Sequence, residues 1–104
     1  MSHDAQRARV EAAFRRRFRE RFMEGTKRGL VRAPAQACHD IGPGEGGEES
    51  YMCEGWGSLP SIGGCILVTA EPATVNGVPS LQARHLRRGE SPFDPRSCRI
   101  RGAP

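Results

Sequence analysis

Apolar positions in the first quarter of the chain recur with the spacing of an α-helix. They are Val10, Phe14, Phe18 and Phe22. A spacing of four residues drifts by only about 40° per step around a helix with 3.6 residues per turn. Residues 4–24 contain no Gly or Pro and are rich in Ala, Arg, Glu and Gln, which favour helices. The pattern predicts one N-terminal amphipathic α-helix that begins near Asp4 as its N-cap and ends near Gly25.

The C-terminal half shows a weaker strand pattern. Residues 65–69, Cys-Ile-Leu-Val-Thr, form the best strand candidate because they are apolar and rich in β-branched side chains. Residues 74–75 are a second candidate, and the Asn76-Gly77 pair that follows is typical of a hairpin turn. Residues 81–88 are short and rich in helix formers. We therefore expect a short β-hairpin followed by a helical turn.

Composition argues against an extensive core. Leu, Ile, Val and Phe total 18 of 104 residues, below the level of roughly 20 % at which disorder becomes the better expectation. Thirteen Gly and eight Pro restrict long regular elements further. We expect a mostly irregular, intrinsically disordered small protein. Its segments are 1–34, a basic amphipathic helix and flank; 35–61, an acidic Gly-rich linker; 62–88, a small β-hairpin and helical turn; and 89–104, a basic disordered tail.

Charge is segregated along the chain. Residues 1–34 carry ten Lys or Arg and four acids, residues 35–73 carry six acids and no Lys or Arg, and residues 74–104 carry six Arg and two acids. The acidic middle can fold back onto the basic ends, or each block can remain a solvated segment. Charge alone does not separate these two alternatives.

Cysteine usage bears on both compartment and chemistry. The first 25 residues lack the apolar stretch of a signal peptide, and the longest apolar run, residues 65–68, is too short to span a membrane. We therefore expect an intracellular protein, nuclear or cytoplasmic, with four free thiols and no transmembrane segment.

No pattern indicates a metal or catalytic site. The potential zinc ligands are Cys38, His39, Cys53, Cys65, His85 and Cys98. Between successive cysteines lie 14, 11 and 32 residues, whereas structural zinc sites use closely spaced pairs. A Cys–His nucleophile pair can be written down, but it requires proximity in space. We predict no cofactor, no metal, no catalytic residues and no enzyme activity.

The N-terminal helix is the best candidate for function. We predict a non-enzymatic interaction protein that uses this helix to bind a protein partner with an apolar groove or an acidic surface. The predicted partner-binding residues are Val10, Phe14, Phe18, Phe22, Arg15, Arg16, Arg17, Arg19 and Arg21. The same phenylalanines can instead dock the helix on the protein's own core, or dip into an anionic membrane surface.

Two further interpretations remain open. The arginines can bind nucleic-acid phosphates, together with Arg84, Arg87 and Arg88. Alternatively, the chain is a truncated or alternatively spliced product without a dedicated function. Ser91, which precedes a proline and follows several arginines, is a candidate phosphorylation site. The sequence does not specify the oligomeric state.

Overall fold

The computed structural model describes residues 2–22, 32–58, 64–90 and 93–99, and this part of the chain contains one helix and four antiparallel strands. The elements are α1 (His3–Phe22), β1 (Arg32–Pro43), β2 (Glu49–Ser58), β3 (Cys65–Ala73) and β4 (Gln82–His85). The strands form one sheet in the order β1-β2-β3-β4. The expectation of a mostly irregular, disordered protein is therefore wrong, since strands are its main element.

Helix α1 confirms the N-terminal prediction, with a different cap. The backbone N–H of Ala5 donates to the Oγ of Ser2 at 3.2 Å, so Ser2 and not Asp4 is the N-cap residue. Asp4 lies within the first turn, where a carboxylate is favoured by the helix dipole. The predicted end at Gly25 lies outside the described residues.

The larger core lies between α1 and the sheet. Because side chains alternate between the faces of a strand, β2 directs Tyr51 and Cys53 toward the helix, and both are buried. The buried members of this core are Val10, Phe14, Phe18, Cys38, Tyr51, Cys53, Ile66, Val68, Ala70, Ala73 and Leu81. Five of these eleven residues are Cys, Tyr or Ala, so a count of Leu, Ile, Val and Phe underestimates this core.

A second, smaller core covers one end of the opposite face. It consists of Cys65, Leu67, Leu86, Phe93 and Cys98, with Trp56 packed against it. The backbone N–H of Cys65 donates to the carbonyl of Pro95 at 2.6 Å. Next to it, Gly64 has a φ of +74°, and a Cβ there would lie 2.9 Å from the same carbonyl oxygen, so only glycine fits. Residues 93–99, predicted as part of a disordered tail, are therefore packed.

All four cysteines are paired, as Cys38–Cys53 and Cys65–Cys98. The first disulfide joins directly opposite positions of β1 and β2, and the second ties the segment 93–99 to the start of β3. The expectation of four free thiols is wrong.

The connections differ from the predicted ones as well. Residues 35–61, interpreted as a Gly-rich linker, contain most of β1 and all of β2, joined by a turn in which the N–H of Gly44 donates to the carbonyl of Glu48. The strand at residues 65–69 is confirmed within β3. The Asn76-Gly77 turn lies in the β3–β4 connection, and residues 82–85 form a strand, not a helical turn.

Candidate functional site

The inner side of α1 is committed to the protein's own core. Val10, Phe14 and Phe18 are each at most 1 % exposed, and the rings of the two phenylalanines lie 5.9 Å apart. Because these three side chains are buried, they are not accessible to a partner groove or to a membrane surface in this fold. The side chain of Phe22 lies outside the described residues.

The outer side of α1 carries the predicted arginines. Arg15, Arg16, Arg17, Arg19 and Arg21 are all exposed. Two of them lie beside acids of the same helix, Arg15 at 3.9 Å from Glu11 and Arg17 at 3.7 Å from Glu20. Arg21 donates to the carbonyl of Leu81 at 3.4 Å. No ion pair with another described residue involves Arg16 or Arg19, so these two are the least neutralised.

A shallow groove of about 270 Å³ separates α1 from the β3–β4 connection. We call it the helix–loop groove, and its lining residues are Ala13, Arg16, Arg17, Glu20, Gly77, Val78 and Pro79. Val78 is 83 % exposed, more than the other large apolar residue at the described surface, Ile41 at 47 %. The groove therefore combines two guanidinium groups with an accessible apolar side chain. Only the fold shows this combination, because Val78 lies 61 residues after Arg17 in the chain.

The arginines of the C-terminal third lie in a different setting. Arg84, on β4, forms a two-pronged contact with the carboxylate of Glu90, which also accepts the backbone N–H of Arg87 at 2.7 Å. The Arg84 guanidinium is the main cause that lowers the pKa of Glu90 to about 2. The positive charge of Arg84 is thus balanced locally, whereas Arg88 is exposed. Ser91 lies outside the described residues.

A polar cluster sits where the start of α1 meets the β1–β2 hairpin. The Nδ1 of His3 lies 3.1 Å from Oε2 of Glu49 and 3.6 Å from Oδ2 of Asp40. The hydroxyl of Tyr51 donates to the same Glu49 oxygen at 2.6 Å. This hydrogen bond and the one with His3 lower the pKa of Glu49. Burial, followed by the adjacent Glu49, raises the pKa of Tyr51 to about 12.

Sequence reasoning missed this cluster because its members lie far apart in the chain and form no motif. Pairing of β1 with β2 brings Asp40 opposite Tyr51, and docking of α1 adds His3. The cysteines considered as zinc ligands or nucleophiles are in disulfides, so they offer no thiolate. No helix within the described residues is long and apolar enough to cross a bilayer.

Comparisons of the chain with protein-family models, with curated proteins and with solved structures found no match.

Proposed function

We propose that the protein is a non-enzymatic interaction module that binds an acidic segment of a protein partner in the helix–loop groove. The observation that carries this proposal is the exposure of Val78 beside Arg16 and Arg17. An acidic segment with an apolar side chain offers both the carboxylates for the guanidinium groups and a group that shields Val78 from water.

Because Phe14 and Phe18 are buried, α1 contributes to binding through its arginines and not through these phenylalanines. The helix presents charge outward, while its phenylalanines hold it on the sheet. Binding then needs no rearrangement of the core, and the arginines are held on a fixed element. A backbone already held in place loses little conformational freedom on binding, which favours affinity.

One feature favours a protein partner over nucleic acid. The groove contains Val78 and Pro79, whose apolar atoms offer no polar contact to a phosphate backbone. Nucleic-acid binding relies mainly on phosphate contacts and falls steeply with salt.

The intracellular location expected from the sequence stays a prediction. Disulfides form and persist mainly in oxidising compartments. The pairs Cys38–Cys53 and Cys65–Cys98 therefore favour a partner that meets this protein in such a compartment.

The test uses a fluorescent peptide that alternates Glu and Leu residues, with an all-Glu peptide and a short RNA for comparison, all measured by anisotropy. Arg16→Glu and Val78→Asp should each weaken binding of the Glu–Leu peptide by about tenfold or more. The matched controls are Arg88→Glu and Ile41→Asp, which change an exposed arginine and an exposed apolar residue outside the groove.

Equal loss in the control variants would contradict a site in the groove. Tighter binding of RNA, insensitive to Val78→Asp and lost between about 50 and 200 mM salt, would replace the proposal with nucleic-acid association.

A further inference from the structure

We propose that His3, Asp40 and Glu49 bind a Zn²⁺ ion, which joins the first turn of α1 to the β1–β2 hairpin. The site is separate from the helix–loop groove, so its test is independent of the proposed function. One imidazole nitrogen and two carboxylate oxygens are ligands that zinc accepts.

The spacing of the three ligand atoms fits a small tetrahedral ion. Zinc lies about 2.0–2.2 Å from nitrogen and oxygen ligands, which places tetrahedral ligand atoms about 3.3–3.6 Å apart. The His3 Nδ1 lies 3.1 Å from the Glu49 oxygen and 3.6 Å from the Asp40 oxygen, and all three atoms lie within 4.8 Å of one another. To reach tetrahedral spacing, the Asp40 and Glu49 oxygens must approach each other by up to about 1.5 Å, which rotation of these partly exposed side chains allows.

Each carboxylate is oriented by a hydrogen bond from outside the ligand set. The Oδ1 of Asp40 accepts the backbone N–H of Gly42 at 2.8 Å, which leaves Oδ2 directed at His3. The Oε2 of Glu49 accepts the hydroxyl of Tyr51, which is fully buried and therefore fixed. Such outer partners are what hold metal-ligating carboxylates in place.

Charge and access also suit a divalent cation. Two carboxylates balance the charge of Zn²⁺ when the imidazole is neutral, and the turn at residues 44–48 adds Glu45 and Glu48 with no Lys or Arg. The three ligand side chains are 38–44 % exposed, so an ion can enter from solvent and keep a water as its fourth ligand. Harder cations such as Mg²⁺ and Ca²⁺ prefer all-oxygen sites.

The decisive experiment is calorimetric titration of Zn²⁺ into the full, disulfide-intact chain without an affinity tag. We expect one equivalent to bind and the melting temperature to rise with zinc concentration. His3→Ala, Asp40→Asn and Glu49→Gln should each weaken zinc binding by about tenfold or more, and Tyr51→Phe, a positioning change, by up to about tenfold. Melting of each variant without zinc checks that it folds.

Matched controls lie on the same hairpin. His39 precedes Asp40 in the chain, but its side chain lies on the other face of β1, so His39→Ala removes an imidazole outside the site. Glu45→Gln removes an acid of the turn. Both should leave zinc affinity unchanged. The ¹⁵N shifts of the His3 ring should report coordination through Nδ1, and Mg²⁺ should compete weakly.

Three results would overturn the proposal. The first is zinc binding with a dissociation constant above about 1 mM. The second is zinc binding that survives both Asp40→Asn and Glu49→Gln, which would place the ion on His3 alone. The third is equal loss in the His39→Ala control. In the first case the cluster serves only to hold α1 on the sheet.

Discussion

The two faces of the sheet are covered by different means. On one face a helix of 20 residues buries Val10, Phe14 and Phe18 against β1, β2 and β3. On the other, residues 93–99 bury only Phe93 and Cys98 and are fastened by the Cys65–Cys98 disulfide. A long element can hold itself in place by apolar burial, whereas a short one needs a covalent link. The comparison predicts that the two faces respond differently to truncation of a buried side chain, to loss of a disulfide and to acid.

The largest effect is expected on the helix face. Phe14→Ala removes a ring that is 1 % exposed and should lower the free energy of unfolding by about 3–5 kcal/mol. Urea unfolding followed by circular dichroism measures this change, and Ile41→Ala, which alters an exposed residue, is the control. A loss below about 1 kcal/mol would mean that α1 contributes little to the fold.

Removal of the disulfides should have the next largest effect. The paired replacement of Cys65 and Cys98 by Ala should cost about 2–4 kcal/mol. The same change at Cys38 and Cys53 should cost less by about 0.7 kcal/mol, because chain entropy scales with the loop closed and the sequence separations are 33 and 15 residues. The two double variants are compared by urea midpoints. If the Cys38/Cys53 variant loses more stability than the Cys65/Cys98 variant, the segment 93–99 stays packed without the Cys65–Cys98 disulfide.

Acid should have the smallest effect, through one carboxylate on each face. The pKa of Glu90 is lowered to about 2 by Arg84, and that of Glu49 is lowered by Tyr51 and His3. A lowered folded-state pKa stabilises the fold above the unfolded value of 4.5, and this contribution is lost as pH falls toward the folded value. Urea midpoints should therefore decline below pH 4.5. Glu90→Gln should remove more of this decline than Glu49→Gln, measured without zinc.

The sequence indicated elements whose signal is local. The four-residue spacing of Val10, Phe14 and Phe18 identified α1, and the run at residues 65–69 identified the centre of β3. Residues 82–85 contain helix formers, yet pairing with β3 makes them a strand, because tertiary contacts override weak propensities.

The missed strands have a different cause. The helix-facing side of β2 is built from Tyr51, Cys53, Gly55 and Gly57, none of which belongs to the Leu, Ile, Val and Phe count on which disorder was expected. Oxidised Cys behaves as a buried apolar residue and also links the strands, so it supplies stability that the count ignores.

The candidate sites also differ in how far the sequence predicts them. The exposed arginines of α1 could be read from the helical pattern. The place of Val78 in the helix–loop groove could not, and neither could the meeting of His3 with Asp40 and Glu49, which lie 37 and 46 residues further along the chain. Sequence spacing carries no information about such contacts until the pairing of strands is known.

The strand order β1-β2-β3-β4 has a kinetic consequence. Because every strand pairs with its neighbour in sequence, the sheet can assemble hairpin by hairpin with short loops to close, and folding speed falls as contacts become more distant in sequence. The distant contacts are those that α1 and residues 93–99 make with the sheet. We therefore expect the transition state for folding to contain the central β2–β3 hairpin. Helix α1 and residues 93–99 should pack onto the sheet after it.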